Sequence, residues 1–174
     1  MSDELPYEKE AIELLHLLKK MFEDENTILV ILSCVIDYEE DVKELLSFAR
    51  TPGVSEEDVL FEAFDIDDRR KIRRVRKMEE ILDTANRLIE TYDEHPEEYL
   101  AFQPEIKILE EYYASADWKA DFEADESGEF PEDLKRGVLS EDGIYNLLER
   151  NREILRKVRK MEKETGEVDS QSLK

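Results

Sequence analysis

The sequence predicts an all-α protein, an antiparallel helical bundle made of two small helical modules. Only five glycines and five prolines occur in its 174 residues, which favours long helices joined by short connections. Charged residues make up 41% of the chain, against about 25% in an average globular domain. Apolar residues recur at spacings of three and four, whereas the alternation typical of strands is nearly absent.

Three helices are expected in the first part of the chain. The first spans Tyr7–Glu23, directly after Pro6, because proline is tolerated at helix starts. The second spans Thr27–Arg50: its opening resembles a strand, but the repeat of apolar residues continues across the whole segment, which favours one long helix. Residues 51–53, Thr-Pro-Gly, end this helix. A short, very apolar helix follows Ser55, which stands before three acidic residues as a helix start does.

An abrupt change of charge marks the expected boundary between the two modules. Residues 1–68 carry 20 acidic and five basic side chains, whereas residues 69–77 carry seven basic side chains and no acid. We therefore expect an acidic N-terminal helical module at 1–68 and a second helical module at 69–164. Residues 165–174 are polar and are predicted to be a flexible tail.

Helical periodicity continues through the second module. It predicts a helix over 72–93, a shorter helical stretch over 96–114 that is interrupted at Pro104, and a last helix over 141–163. In the last helix Asn151 interrupts an otherwise apolar seam. This asparagine either fixes the register of a helix pair or faces solvent at that point.

The stretch between these helices, residues 118–148, lacks simple periodicity and contains the only tryptophan. Its glycines Gly128 and Gly137 are expected to take unusual backbone dihedrals, and Pro131 to begin a single helical turn. We interpret the stretch as a crossover that locks the long helices together. Its structural residues are Trp118, Phe122, Gly128, Pro131, Leu134, Gly137 and Ser140, the last as the N-cap of the final helix.

The same stretch carries a family resemblance. The motif LEEYYASADWKADFEADESGEFPEDLKRGVLSEDGIYNLL, residues 109–148, resembles a family of short bacterial proteins known as the domain of unknown function family 4298. The resemblance extends from about Arg74 to Met161 and implies a small helical module from a bacterium. It implies no activity, catalytic residue or cofactor. Residues 1–68 resemble no named family and extend beyond the family's short form.

Known catalytic and metal-binding patterns are not completed by this sequence. An EF-hand loop with Gly128 at its sixth position would place Leu134 at the twelfth, where a bidentate glutamate is required. Glu13 and His16 have the Glu-x-x-His spacing of di-metal bundles, but the second such pair is missing. Cys34 has no histidine near it in the sequence and is expected to be a small buried thiol. We therefore expect no enzyme, no cofactor and no metal.

The net charge of −22 restricts the classes of partner. A uniformly acidic surface is repelled by nucleic acid and by anionic membranes. Its simplest interpretation is that it keeps the protein soluble; the more specific alternatives are a protein partner with a basic surface, or mimicry of nucleic acid. The N-terminal segment lacks the basic and apolar regions of a signal peptide. Ile28–Leu32, the longest apolar run, is too short to span a bilayer. The single cysteine fits a reducing compartment, so a cytoplasmic location is expected.

Two basic clusters interrupt this acidity, at Arg69–Lys77 and at Arg150–Lys163. If helices 72–93 and 141–163 are antiparallel neighbours, both clusters lie at one end and form a basic pole. The acidic N-terminal module either docks on this pole and neutralises it, or leaves it exposed to nucleic acid or an acidic partner. The candidate surface consists of Arg69, Arg70, Arg73, Arg74, Lys77, Arg156, Arg159 and Lys160.

These observations favour a protein–protein interaction or regulatory module that acts without catalysis. The alternative is a protein linked to nucleic acid, either as a DNA mimic through its acidic surface or as a binder through the basic pole. A metal-dependent enzyme has the least support from the sequence.

Overall fold

The computed structural model describes residues 7–171, apart from the side chains of residues 141, 162 and 164–171; Pro6 and residues 172–174 lie outside this range. The described residues form helices and no strand, which confirms the all-α prediction. The α-helices are α1 (Glu8–Met21), α2 (Glu25–Val35), α3 (Glu39–Ala49), α4 (Glu56–Glu90), α5 (Pro96–Ala101), α6 (Gln103–Tyr113), α7 (Ala116–Glu126) and α8 (Glu141–Gln171), with a 3-10 turn at Gly137–Leu139.

The chain divides into two compact units, Met1–Lys71 and Ile72–Lys174. The first unit therefore includes Arg69, Arg70 and Lys71, which the charge pattern assigned to the second module. Each unit has its own hydrophobic core. The fully buried side chains of the first core include Leu14, Leu18, Ile31, Val35, Val42 and Leu45, and those of the second include Val75, Tyr99, Ile106, Leu109, Ile144 and Leu147.

The predicted single helix over Thr27–Arg50 is wrong, because it is two helices, α2 and α3. The break lies at residues 36–38, where Tyr38 has extended backbone dihedrals. The last carbonyls of a helix need hydrogen-bond donors from elsewhere, and two distant side chains provide them here. The Tyr7 hydroxyl donates to the Ile36 carbonyl at 2.6 Å, and Arg70 donates to the Cys34 carbonyl at 2.8 Å. These tertiary bonds stabilise an end that the local sequence does not mark.

The change of charge after residue 68 does not interrupt the helix, so the expectation of separate helices before and after it is wrong. Helix α4 is continuous over 35 residues. No glycine or proline lies within it, and opposite charges stand one turn apart: Asp65 pairs with Arg69 at 2.7 Å and Asp67 with Lys71 at 2.8 Å. Such pairs each support a helix by a few tenths of a kcal/mol.

The interruption expected at Pro104 is present. Helix α5 ends at Ala101, and α6 begins at Gln103 with Pro104 in its first turn, where the missing amide proton costs no intrahelical bond.

Helix α8 runs in the same general direction as the second-unit part of α4. Its start lies beside Glu79, because the Val138 amide donates to Glu79 at 2.6 Å. Ten residues into α8, Asn151 bonds to Tyr99, whose ring contacts the Tyr92 ring at 5.4 Å. An antiparallel α8 would carry Asn151 about 30 Å away from Tyr92, at a rise of 1.5 Å per residue. The predicted antiparallel pairing of these two helices is therefore wrong.

Helix α8 also continues further than predicted, to Gln171 instead of about Lys163. Gly166, which lies in this extension, costs a helix only about 1 kcal/mol relative to alanine, and no proline follows it. The boundary of the expected tail at residue 165 is therefore not a helix end.

Candidate interaction surface

Three residues of the predicted basic surface form ion pairs within the fold. The first, Arg69, contacts Glu44 at 3.0 Å and Glu62 at 3.3 Å, in addition to Asp65. The bond to Glu44 joins α4 to α3 within the first unit, and the other two lie within α4. Its guanidinium is therefore already engaged by carboxylates.

Arg70 organises the junction between α2 and α3. It pairs at 2.6 Å with Asp41, whose side chain is buried in the first turn of α3, and also pairs with Asp67. Its guanidinium lies 4.4 Å from the centre of the Tyr38 ring, within the range of a cation–π contact. Together with its bond to the Cys34 carbonyl, these contacts assign Arg70 a structural role.

Arg74 has the same kind of role in the second unit. It forms a two-pronged pair with the fully buried carboxylate of Asp121, at 2.7 and 2.6 Å, and contacts Asp117 at 3.3 Å. The Tyr112 hydroxyl donates to the same carboxylate at 2.7 Å. Burial, followed by this hydrogen bond to Asp121, raises the pKa of Tyr112. We call Arg74, Tyr112 and Asp121 the buried triad; it fastens α4, α6 and α7 to one another.

A second polar connection fastens the chain before α8 to α4. Glu79 is buried and accepts the Val138 amide; Lys135 approaches it at 3.3 Å and pairs with Asp83 at 2.5 Å. The Trp118 indole donates to the Val138 carbonyl at 3.1 Å. The segment around Val138 is therefore bonded to α4 on one side and to α7 on the other.

The aromatic part of the crossover packs as a cluster. Trp118 is buried, stacks on Phe122 with ring centres 5.3 Å apart, and meets Tyr113 edge-on at 5.0 Å. Leu134 is buried, and its amide bonds to the Pro131 carbonyl at 3.1 Å. Pro131 is exposed and begins a hydrogen-bonded turn, not the helical turn that was predicted.

The glycines of the crossover are required either by their backbone dihedrals or by close packing. Gly128 has φ +74°, in the left-handed region, as expected. Gly137 has no positive φ, so that prediction is wrong; its reason is close packing, because an added Cβ would lie 2.9 Å from the buried Glu79 carboxylate. A Cβ at Gly143 would lie 2.8 Å from the Gly137 carbonyl. Ser140 immediately precedes α8 with extended dihedrals, as a residue at the N-cap position does.

Asn151 is buried and accepts a hydrogen bond from the Tyr99 hydroxyl. The solvent-facing alternative is therefore wrong for this residue. Tyr99 is fully buried, and a buried hydroxyl without a partner is costly. The asparagine interrupts the apolar seam of α8 because the tyrosine requires an acceptor there.

The direction of α8 separates the two basic clusters. The second-unit part of the first cluster, residues 72–77, lies before Glu79 on α4, whereas α8 leads from Glu79 towards Tyr92 and carries Arg156 and Arg159 beyond that point. The predicted basic pole therefore does not form. Of the candidate residues, Arg73, Lys77, Arg156, Arg159 and Lys160 are exposed, but they do not form one surface.

The first unit exposes an apolar surface that the sequence pattern did not reveal. Phe61 and Phe64 are 61% and 42% exposed on α4, one turn apart. Val59, Ala63 and Ile66, on the opposite side of the helix, are buried. Successive residues turn by about 100°, so the same periodicity could have separated these two sets.

Acidic residues surround the two phenylalanines. Residues 54–68 contain seven acidic residues and no basic one. Glu57, Asp65 and Asp68 stand within one turn of the rings on α4, at spacings of four residues or one, and are exposed. We call Glu57, Phe61, Phe64, Asp65 and Asp68 the Phe61–Phe64 face.

A second apolar feature of the first unit is a groove of about 340 Å³ between α1 and α2. Its lining combines four apolar residues with one lysine and one glutamate: Leu15, Lys19, Glu25, Ile28, Leu29 and Leu32. Leu29 is 63% exposed. The groove is less acidic than the Phe61–Phe64 face, because a lysine and a glutamate balance each other there.

The residues considered for chemistry are engaged elsewhere or stand apart. Glu13 pairs with Arg50 at 2.7 Å. Cys34 is buried, which raises the pKa of its thiol. Within residues 7–171, no three described His, Cys, Asp or Glu side chains come together as a metal ion would require. None of the described helices combines the length and the apolar character needed to cross a membrane.

Comparison with known proteins identifies the second unit. Residues 75–161 match the family model described as Domain of unknown function (DUF4298). This match begins inside α4 and covers the buried triad except Arg74, the crossover and α8 as far as Met161. No curated protein and no solved structure matches the chain. Since the family model covers half of the 174 residues, the chain belongs to this family of unknown function.

Proposed function

We propose that this protein acts by binding another protein rather than by catalysis, and that the Phe61–Phe64 face is the surface it uses. The observation that carries the proposal is the exposure of two phenylalanines in a purely acidic stretch of α4. Aromatic side chains, phenylalanine included, are enriched at the core of protein interfaces. An exposed apolar pair with a charged border is typical of an interaction site.

The exposed apolar area of the two rings is large enough to contribute substantially to the binding of a partner. A phenylalanine side chain has an area of about 200 Å², so the exposed fractions amount to about 200 Å² for the two rings together. At about 25 cal/mol per Å², covering them releases about 5 kcal/mol. Association itself costs about as much or more, so the rings need help from charged contacts at their border.

The charge at this border defines the partner. Glu57 and Asp68, together with Asp65, which also pairs with Arg69, give the border a negative charge that attracts Lys and Arg side chains. The two rings require apolar side chains between them. An amphipathic helix with a basic border meets both needs, because its apolar residues recur at the same three- and four-residue spacing. We therefore assign the surface to a basic amphipathic helix.

The use of the buried polar groups supports binding over catalysis. Asp121, Glu79 and Asn151 each accept hydrogen bonds from within the second unit, which commits them to the fold.

The single cysteine, a buried thiol, is compatible with the reducing cytoplasm in which we place the protein.

A labelled synthetic helix of leucine and lysine, with its leucines on one face, tests the proposal by fluorescence anisotropy. We expect micromolar binding to the full chain and at least tenfold weaker binding to the Phe61→Ala/Phe64→Ala variant. Leu29→Ala is the matched control, because Leu29 is exposed to the same extent on the same unit. A scrambled peptide of equal charge controls for general attraction to an acidic protein.

Two results would contradict the proposal. Equal affinity for the amphipathic and the scrambled peptide would mean that only net charge is recognised. An equal loss of binding in the Leu29 variant would move the surface to the groove between α1 and α2. Unchanged helicity by circular dichroism establishes that each variant is folded.

A further inference from the structure

We infer that the basic amphipathic helix bound by the Phe61–Phe64 face is the distal part of α8, residues 155–163, from a second copy of this chain. The inference rests on the proposed function and names its partner. It begins from the apolar seam of α8, which continues past the core that it serves. Leu147 is buried, Ile154 still packs on the second core, and Met161 is 53% exposed.

The distal part of α8 has the chemistry that the proposed surface requires. Residues 150–163 contain seven basic and two acidic residues. Leu155, Val158 and Met161 follow each other at three-residue spacing and provide an apolar stripe. Arg156 and Arg159 are exposed next to this stripe.

The two surfaces match in spacing as well as in charge. Phe61 and Phe64 stand three residues apart on α4, as Val158 and Met161 do on α8, so ridges of one helix can fit between those of the other. Acidic side chains border the first pair, and basic side chains border the second. Opposite charges at the edges of two helices set which helices pair and in which register.

A second copy of the chain offers both surfaces at once. If α8 of one copy binds the Phe61–Phe64 face of the other, a two-fold axis generates the reciprocal contact, and the assembly closes as a dimer. Two identical contacts then form for a single loss of translational freedom. Each contact can be weak alone and the dimer still form.

Sedimentation velocity of the full chain, over a concentration range of about 5 to 500 μM, tests the inference. We expect a monomer that converts to a dimer with rising concentration. Arg156→Glu/Arg159→Glu is expected to raise the dimer dissociation constant at least tenfold, and Phe61→Ala to do the same. Lys119→Glu, a charge reversal at an exposed position on α7, is the matched control and should leave the dimer unchanged.

The outcomes separate this inference from the function on which it rests. A monomer at every concentration overturns the inference, and so does a dimer that survives the Arg156/Arg159 substitutions. If the protein stays monomeric but still binds the leucine–lysine helix through Phe61 and Phe64, the proposed function stands and the partner is another protein. If both experiments fail, the surface itself is wrongly assigned.

Discussion

Removing the charge of Asp121 should lower the free energy of unfolding of the second unit more than removing any exposed charge near it. The Asp121 carboxylate is fully buried and takes three short bonds, two from Arg74 and one from Tyr112. Asp121→Asn keeps the shape of the side chain but removes the charge. One of its two terminal groups then becomes an N–H donor that faces other donors.

The expected loss of unfolding free energy comes from the Arg74 guanidinium, which remains in place after its buried partner has lost its charge. In the variant the Arg74 guanidinium, which is 14% exposed, keeps its charge without a full counter-charge. Breaking a buried pair from one side costs about 3 to 5 kcal/mol. Because Asp117 still contacts the same guanidinium at 3.3 Å, we expect a value near the lower limit, about 3 kcal/mol.

Asp117→Asn provides the matched control. It removes the same charge from the same helix and the same arginine, but the Asp117 side chain is 47% exposed. An ion pair in contact with water contributes at most about 1 kcal/mol. The two variants therefore differ mainly in the burial of the carboxylate.

Urea unfolding followed by the fluorescence of Trp118 measures both free energies. This tryptophan is the only one in the chain and lies one turn before Asp121 on α7, so it reports on the second unit. A loss below about 1 kcal/mol for Asp121→Asn, or equal losses in the two variants, would refute the assignment of the buried triad as the main polar contact that stabilises the second unit.

Two further predictions concern the second unit. Asn151→Leu should cost about 1 to 3 kcal/mol, because it leaves the buried Tyr99 hydroxyl without its acceptor; the double variant Asn151→Leu/Tyr99→Phe should recover most of this loss in the same urea assay, and no recovery would contradict the pairing. Burial raises the pKa of Tyr112 above its ordinary value of 10.0; the folded state then holds this proton more tightly than the unfolded state. That contribution to stability is complete below about pH 10 and decreases above it. Urea midpoints between pH 8 and 11 should therefore fall more steeply for the wild-type chain than for Tyr112→Phe. Parallel curves for the two proteins would show that Tyr112 does not cause the pH dependence.

Much of the helical architecture is readable from local chemistry. The Thr-Pro-Gly segment at 51–53 and Pro104 stop or divide helices because their backbone dihedrals and missing donor act on the residue itself. Gly128 takes a positive φ for a similarly local reason. The motif at residues 109–148 is enough to indicate the family, because the order and spacing of its residues are specific.

The break between α2 and α3 was not readable in this way. Apolar residues keep their helical spacing across residues 36–38, and the helix ends there because Tyr7 and Arg70 supply donors to its last carbonyls. Those donors stand 29 and 36 positions away from the carbonyls that they bind. Periodicity reports which residues face a core, not which distant side chain completes a helix end.

For the candidate surface, too, the sequence located the charged and apolar segments, whereas only the packed structure showed how they are arranged. Counting charges located two basic clusters, but their separation depends on the direction of α8, which is set by the bonds of Val138 to Glu79 and of Asn151 to Tyr99. Counting apolar residues marked the segment with Phe61 and Phe64 as very apolar, without distinguishing its buried side from its exposed one. Composition and spacing thus suffice for helix content, for most helix ends and for family membership, since these depend on neighbours along the chain. The roles of Arg70 and Arg74 as internal partners, the close packing at Gly137 and the exposure of Phe61 arise from contacts between residues far apart in the chain, and these exist only once the helices have packed.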